Sequence, residues 1–375
     1  MPACRRPRLL LLIPRLGGGG AQRVAELLAR HLSPRSYELH MGTMLASGAR
    51  TAPAEFPPHV TLHGLGASRV RAAAGPLLRL VRSLRPDLIL SGMAHLNFLV
   101  LLLRPFFPAF TRVVVRQNGS VSAALAHSGQ PFYTRQLYRR LYPRADRVVC
   151  QSQAMADDLS RHAPAARLSV LPNPIEIEEV RAVAARSSLE SACWSGPGPH
   201  LLGVGRLEPE KGFDLLLQAL AATRKRFPRV ELALLGTGKE GASLRGLTEA
   251  LGLEDVVHFP GLVAEPAAFF PTTDLFVLSS RHEGLPNALL EAAAGGLPLL
   301  CTPASGGIVA LLRDQPGCWL VEQSSVADLT AALLTALESL PCGQRFPHSF
   351  IEAFRVDGAV QAYAELIDAV LGEPR

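Results

Sequence analysis

The sequence predicts an α/β protein with two domains, each built on a doubly wound parallel sheet. The chain has 375 residues, and single hydrophobic cores seldom keep growing beyond about 250–300 residues. Short apolar runs alternate with helical stretches in both halves, as in βαβ units. Periodicity is lost between residues 171 and 200, where prolines and glycines accumulate. We therefore expect a first domain over residues 1–172, a linker over 173–199 and a second domain over 200–345.

The expected elements follow the chain in order. Strands of the first domain are expected at Arg8–Ile13, Leu39–Thr43, Leu88–Leu90, Val113–Val115 and Arg147–Val149, with a helix at Ala21–Leu32. Strands of the second are expected at Leu201–Val204, Val230–Leu235, Val256–Phe259, Leu275–Leu278 and Leu299–Cys301, with helices at Gly212–Phe227 and Pro286–Ala294. The closing helical segment Val356–Leu371 follows a polar, proline-containing stretch, so we expect it to pack away from the second domain.

Composition indicates a folded, core-rich, soluble protein. Apolar residues make up 48% of the chain and charged residues 19%, unlike disordered chains. The formal net charge is +6, but the basic residues are dispersed, so nucleic-acid binding is not expected. Only three of the 38 basic residues are lysines. A motif that requires lysine is therefore informative in this chain.

The six cysteines lie far apart and form no C-x-x-C pair, so no zinc site or disulfide scaffold is predicted. The apolar run Leu9–Ile13 is shorter than the roughly 7–15 residues of a signal-peptide core, and we interpret it as a buried strand. No run reaches the ~20 apolar residues that span a bilayer. The expected location is the cytoplasm.

The first candidate site is a run of four glycines, Gly17–Gly20, between the first strand and the first helix. Glycine lets the backbone approach a ligand, and a helix N-terminus offers free N–H groups to an anion. Because of this position, Gly18, Gly19 and Gly20 are candidate phosphate or acceptor contacts. The run matches neither G-x-G-x-x-G nor a Walker loop, and a plain strand–helix turn is the alternative.

The second candidate site is the loop Gly205–Gly212, which follows a strand and precedes a helix. It places Arg206 and Lys211 at the carboxyl end of the sheet, where open α/β sheets bind ligands. A guanidinium that bonds two oxygens and a compact ammonium together suit a diphosphate. The alternative is a solvated loop in which the charged side chains pair with one another.

The third candidate site lies between another strand and helix. Pro286 suits the first helical turn, so the N–H groups of Gly284 and Leu285 are expected to stand free at a positive helix end. Glu283 lies on the loop and Glu291 more than one turn into the helix. Carboxylates at different depths can accept hydrogen bonds from different hydroxyls of one sugar or ribose. Two unrelated surface glutamates are the alternative.

Together these motifs resemble the retaining glycosyltransferases of family 4, which have the GT-B fold. The resemblance rests on their order and spacing: Gly205-Arg206…Lys211-Gly212, Leu235-Gly236-Thr237-Gly238, Glu283-Gly284-Leu285-Pro286-Asn287…Glu291-Ala292, Gly296-Leu297-Pro298, and the N-terminal Gly19–Val24 and Leu171–Ile175. It implies two Rossmann-like domains facing across a cleft. The first would bind the acceptor, the second would bind a nucleotide sugar, and a last helix over 356–371 would cross back to the first.

The resemblance also implies roles for individual residues. Arg206 and Lys211 resemble the pair that holds the donor diphosphate and stabilises the leaving group. Glu283 resembles the glutamate that contacts the donor sugar, and Glu291 the one that binds ribose hydroxyls. Further donor contacts are implied for Gly284, Leu285, Gly205, Gly236 and Gly238. Transfer would need no metal and no other cofactor, because cations and a helix end stabilise the leaving diphosphate.

One position departs from the family pattern. After the strand Val113–Val115 many relatives place a histidine near the reacting sugar, whereas this chain has Asn118. Asn118 is therefore a candidate catalytic residue. His95 follows another strand and is expected at the same ligand-binding edge. Asn173, between two prolines in a motif that resembles the family, is a further candidate.

The sequence thus predicts a hexosyl- or N-acetylhexosaminyltransferase that uses a nucleotide sugar, with a UDP-sugar expected, and a glycan or lipid-linked glycan acceptor. A GT-B nucleotide-sugar epimerase and a non-catalytic nucleotide-sugar binder remain the alternatives. The basic amphipathic helix expected over Val70–Leu84 is consistent with two placements. It either lies peripherally on an anionic membrane or packs against the first sheet.

Overall fold

The computed structural model describes residues 5–17, 19–44, 56–126, 130–187, 193–341 and 343–374. The chain forms two compact units, Met1–Pro174 with Val356–Arg375, and Ile175–Arg355. The second unit therefore begins within the stretch expected to be a linker. It does so because the helix Ile177–Arg186 buries three apolar side chains in the core of this unit. The unit extends beyond residue 345 because the short 3₁₀ helix Ser349–Phe354 also packs into that core.

The first unit contains a parallel sheet in the order β3-β2-β1-β4-β5-β6-β7. Its strands are β1 Arg8–Ile13, β2 Glu38–Thr43, β3 Val60–Gly64, β4 Leu88–Ser91, β5 Arg112–Arg116, β6 Arg147–Cys150 and β7 Leu168–Val170. Its helices are α1 Gly20–His31, α2 Ala74–Leu84, α3 Ala94–Leu103, α4 Val121–Ala126, α5 Pro131–Leu141, α6 Gln153–His162 and the closing helix α13 Val356–Gly372. The sequence did not predict β3 and β7, because these edge strands bury few side chains.

The second unit contains a parallel sheet in the order β10-β9-β8-β11-β12-β13. Its strands are β8 His200–Val204, β9 Glu231–Leu235, β10 Val257–Gly261, β11 Leu275–Leu278, β12 Leu299–Cys301 and β13 Cys318–Leu320. Its helices are α7 Ile177–Arg186, α8 Phe213–Thr223, α9 Gly241–Ala250, α10 Asn287–Ala294, α11 Gly306–Leu312 and α12 Val326–Ser339. The unpredicted β13 is a three-residue edge strand.

Helices cover both faces of the first sheet, as the apolar run of β1 requires. Leu10 and Leu12 face a core cluster that includes α2, while Leu9, Leu11 and Ile13 face a cluster that includes α1 and α13. Alternate side chains of a strand point to opposite faces, so a strand that is apolar throughout must be covered twice. The doubly wound architecture predicted from the sequence is confirmed.

Helix α2 uses its apolar face for packing. Leu77 and Val81 are fully buried in the core, and Leu78, Leu80 and Leu84 pack against it. The sequence allowed two placements for this helix, and the structure supports packing on the sheet. The apolar side chains that could have faced a membrane are used for this packing.

The sequence also predicted that the chain has no membrane-spanning helix and no disulfide scaffold. Within the described residues, no helix combines the length and the apolar character needed to cross a bilayer. Cys150, Cys193, Cys301 and Cys318 are free thiols, while Cys4 and Cys342 lie outside the described residues.

Asp158 on α6 holds the start of α4. Its carboxylate accepts hydrogen bonds from the Ser120 hydroxyl at 2.9 Å and from the backbone N–H groups of Val121 at 2.6 Å and Ser122 at 3.1 Å. Burial raises the pKa of Asp158, but the hydrogen bonds from Ser122, Ser120 and Val121 outweigh it, so the pKa lies below its ordinary value. The ionised form is therefore the one that the fold stabilises.

We expect Asp158→Ala to lower the free energy of unfolding by about 1–2 kcal/mol near neutral pH. A lowered pKa gives stability that is present above about pH 4 and is lost as the pH falls, so the difference should shrink in acid. Denaturant unfolding at several pH values measures it. Asp157→Ala, at an exposed neighbour whose carboxylate accepts a hydrogen bond from Gln153 of the same helix, is the control. Equal effects of the two substitutions on the free energy of unfolding would show that Asp158 does not stabilise the start of α4.

Candidate active site

Three charged candidates of the second unit, Arg206, Lys211 and Glu283, lie on the loops that follow its two central strands. Strands β8 and β11 are adjacent and parallel, with Leu275 paired to Leu201 and Phe276 to Leu202. Their carboxyl ends therefore lie at the same edge of the sheet. The loop after β8 carries Lys211, and the loop after β11 carries Glu283.

Lys211 and Glu283 form an ion pair through Nζ and Oε1, and their side chains are only 14% and 15% exposed. The Ser280 hydroxyl donates to the same Oε1 at 2.9 Å. The Ser279 hydroxyl donates to the Lys211 carbonyl at 2.9 Å. The two loops are thus joined by a charged contact and by a neutral one, which fixes both side chains at the sheet edge.

This pair retains hydrogen-bonding capacity. An ammonium has three N–H donors and a carboxylate has two oxygens. Within the described part of the chain, Lys211 Nζ donates only to Glu283, and Glu283 Oε2 accepts no hydrogen bond. The pair can therefore offer N–H groups to an anion and a carboxylate oxygen to a hydroxyl at the same time.

Arg206 has a different environment. Its side chain is 62% exposed and pairs with Glu210 at 2.7 Å, so the solvated charge pairing that the sequence left open describes this residue. An exposed ion pair contributes little stability. Arg206 can therefore leave Glu210 for a ligand at small cost, whereas Lys211 is fixed before any ligand arrives.

At the predicted donor-binding glycines, a larger side chain would clash with a neighbouring loop. Gly236 has φ +139°, and a Cβ there would lie 1.8 Å from the Gly205 carbonyl oxygen. A Cβ on Gly238 would lie 2.2 Å from the Leu207 oxygen, and one on Gly205 would lie 3.1 Å from the Lys211 side chain. The loop after β9 therefore lies directly against the loop that carries Lys211, and glycine makes that approach sterically allowed.

The structure modifies the prediction for the loop before α10. The helix begins at Asn287, so Pro286 precedes the first turn. Leu285 is 5% exposed and its side chain packs in the core, so any contact of this residue with a ligand would have to come from its backbone. The Gly284 carbonyl accepts from the Ser305 hydroxyl at 2.6 Å. Glu291 lies in the second turn of α10, as the spacing predicts, and is half-buried.

The candidates of the first unit follow different strands of its parallel sheet. Gly18 lies outside the described residues; Gly19 is the N-cap of α1, and Gly20 is its first residue. His95 is exposed in the first turn of α3.

Asn118 and Asn173, by contrast, both accept hydrogen bonds from Arg116, which is 2% exposed. Sequence reasoning did not select Arg116. The available signal was an arginine that directly follows three consecutive valines at the carboxyl end of the strand Arg112–Arg116.

No group of three or more His, Cys, Asp or Glu residues within the described ranges has the arrangement of a metal site. Two parallel-sheet units with helices on both faces, and charged loops after the central strands, define the class of GT-B proteins. Family models match both parts of the chain: "Glycosyltransferase Family 4" over residues 18–179 and "Glycosyl transferases group 1" over residues 198–339. The chain belongs to this glycosyltransferase family.

Individual relatives agree with this assignment. The lipopolysaccharide core biosynthesis glycosyltransferase LpsE of Rhizobium meliloti is 30% identical over 232 residues, which are 59% of this chain and 64% of the relative. An uncharacterized glycosyltransferase of Haemophilus influenzae is 32% identical over 133 residues, 36% of this chain and 38% of the relative. The chain thus matches less than two thirds of the length of either relative.

Among solved structures, Anabaena HepE in complex with UDP and glucose has a TM-score of 0.77 at 19% identity. The match covers 96% of this chain and 99% of HepE. At this identity the likeness concerns the fold, and it confirms the predicted GT-B architecture.

We expect Gly236→Ala to destabilise the protein by about 3 kcal/mol or more, because the new Cβ meets a carbonyl oxygen at a positive φ. Gly246→Ala is the matched control. Gly246 lies exposed within α9 with open space around it, so alanine there should stabilise the helix by roughly 0.5–1 kcal/mol. Thermal unfolding of both variants measures the contrast. Equal melting temperatures would show that the loop contact is not required.

Proposed function

We propose that the protein transfers a sugar from a nucleoside diphosphate sugar to a hydroxyl group of a glycan or lipid-linked glycan. The observation that carries this proposal is the contact between Lys211 and Glu283 at the carboxyl edge of the second sheet. Lys211 supplies positive charge for a diphosphate, and Glu283 supplies an acceptor for a sugar hydroxyl. Arg206, in the same loop as Lys211, adds a second cation.

A UDP-sugar is the proposed donor, with a hexose or N-acetylhexosamine as the transferred group. HepE was solved with UDP and glucose, and LpsE is named for lipopolysaccharide core biosynthesis. These relatives support a UDP-linked donor and a glycan or lipid-linked acceptor. Glu291, on the helix that begins beside Glu283, is proposed to bind the ribose hydroxyls.

In the proposed reaction, the acceptor oxygen bonds to the anomeric carbon as the bond from that carbon to the diphosphate breaks. The hydroxyl proton passes to the departing phosphate oxygen, so the acceptor attacks from the face that the diphosphate leaves. Configuration is then retained. Lys211 and Arg206 stabilise the charge that grows on the diphosphate. We propose that these two cations suffice without a metal ion.

Lys211→Ala and Glu291→Ala should each lower kcat/KM for the donor by roughly tenfold to a hundredfold. Each removes a charged partner, which costs about 1.5–3 kcal/mol. Lys225→Ala, at an exposed lysine of the same unit, is the control and should leave kcat/KM unchanged. Steady-state kinetics with UDP-sugars measure the effect. Unchanged kinetics in both site variants would overturn the assignment.

The two alternative functions predict different products. An epimerase converts the nucleotide sugar without an acceptor, and a non-catalytic binder leaves it intact. Incubation of the protein with donor alone, and with donor plus acceptor, separates these functions from transfer. We expect release of UDP that depends on the acceptor.

We also propose that the first unit contacts the anionic inner surface of the cell membrane through α5. Phe132 and Tyr133 are 77% and 60% exposed at the start of this helix. Arg135, Arg139 and Arg140 are also exposed on α5, and none pairs with a carboxylate within the described residues. Exposed aromatic rings beside uncompensated arginines suit an interfacial helix.

Vesicles that contain an anionic phospholipid should sediment the protein at low salt and release it at about 0.5 M salt, because ions screen the attraction. A double variant, Phe132→Ser with Tyr133→Ser, should bind the vesicles at least about fivefold more weakly. Leu262→Ser, at a 75% exposed apolar residue of the second unit, is the control. Binding that is absent at low salt, or equally strong in both variants, would contradict the proposal.

A further inference from the structure

Arg116 ends β5 and is among the largest fully buried side chains of the described residues, at 2% exposure. Its guanidinium donates three hydrogen bonds, all to neutral oxygens. Nε donates to the Tyr363 hydroxyl at 3.0 Å, one terminal nitrogen to Asn118 Oδ1 and the other to Asn173 Oδ1. These partners come from the loop after β5, from the stretch after β7 and from α13, all within the first unit.

A buried charge without a counter-charge is unusual. Burial of an ion costs several kcal/mol unless an opposite charge or good hydrogen bonds offset it. Arg112, at the other end of the same strand, pairs with Asp146 at 3.3 Å. Arg116 contacts no described carboxylate, and neutral amide and hydroxyl groups replace one. The fold therefore keeps a cation here where a neutral side chain would be less costly.

The contacts of Asn118 define which way its carboxamide faces. A guanidinium only donates hydrogen bonds, so the atom that faces Arg116 must be the amide oxygen. Gln151 Nε2 donates to the same oxygen at 3.3 Å. A carbonyl only accepts, so the atom that faces the Gly92 oxygen must be the amide nitrogen. The orientation follows from this chemistry.

The remaining capacity of Asn118 is therefore a single donor. Its oxygen already accepts two hydrogen bonds, which uses both lone pairs, and its nitrogen has given one of two N–H groups to Gly92. Asn118 is half-buried, and within the described residues its amide nitrogen donates only to Gly92, so one N–H is left for a ligand. Held in this way, Asn118 can donate to a substrate oxygen but cannot accept a proton from a hydroxyl.

We propose that Arg116 is a positioning residue for sugar transfer, and that its guanidinium holds Asn118 as a one-way hydrogen-bond donor to the substrate. This inference rests on the proposed transferase function. Arg116 acts through Asn118, because its own side chain is closed off from solvent. The buried charge is retained because guanidinium can hold Asn118, Asn173 and Tyr363 together, which no neutral side chain of similar size can do.

Arg116→Met and Asn118→Asp test this inference by kinetics. Methionine removes all three donors, and aspartate keeps the acceptor that Arg116 needs while removing the N–H. Both should lower kcat about tenfold or more, because a small misplacement at a reacting centre is costly. The dissociation constant of UDP should stay within about twofold, since the proposed diphosphate contacts belong to the second unit. The double variant should be no slower than the slower single one, because both changes disrupt the same proposed hydrogen bond from Asn118 to the substrate.

Arg112→Met is the matched control on the same strand. It breaks the ion pair with Asp146 and should lower the melting temperature without changing kcat measured well below that temperature. If Arg116→Met does not fold, Arg116→Lys decides. Lysine keeps the charge but lacks the planar, forked donors of guanidinium, so kcat should still fall.

Wild-type kcat in a folded Arg116 variant, full activity of Asn118→Asp, or additive losses in the double variant would overturn the inference. Absence of both UDP binding and sugar transfer in the unmodified protein would instead refute the proposed function.

Discussion

The ion pair between Lys211 and Glu283 links the two loops that end the central strands of the second sheet. Both side chains are largely buried, and removing either would leave the other as an uncompensated charge. The adjacency of β8 and β11 brings the pair together, and Gly205 and Gly236 allow the surrounding loops to approach. The same arrangement keeps a cation and a carboxylate oxygen in place before any ligand binds. Stability and the proposed donor recognition thus depend on one contact.

The first unit also has a buried cation at the carboxyl end of a strand, but this cation has no carboxylate partner among the described residues. Arg116 has only neutral partners, so its charge is spread over hydrogen bonds to amide and hydroxyl oxygens. In the second unit the cation is paired and retains donors for an anion. In the first unit the cation is enclosed and orients Asn118. The two sheets therefore share an architecture, but we propose different roles for their buried cations. Lys211 of the second unit binds a diphosphate, and Arg116 of the first unit orients Asn118.

The sequence predicted what depends on long apolar runs and on spacing. Buried strands such as Arg8–Ile13 were identified because their burial on both faces leaves a continuous apolar signal. Edge strands β3, β7 and β13 lack that signal. Helix α2 has an amphipathic pattern that suits a membrane and a sheet equally, and only the packing of Leu77 and Val81 decides between them. Arg116 was missed because its partners are up to 247 residues away in sequence. Likewise, the contact of Gly236 with Gly205 depends on loop geometry that no spacing rule describes.

The second unit is proposed to recognise a diphosphate with its own cations. The most direct test compares UDP with uridine by titration calorimetry in the presence of EDTA, using the whole chain. We expect UDP to bind at least about a hundredfold more tightly than uridine, because Lys211 and Arg206 are proposed to contact the diphosphate without a metal ion. Equal affinity of the two ligands, or UDP binding that appears only after Mn²⁺ or Mg²⁺ is added, would contradict it.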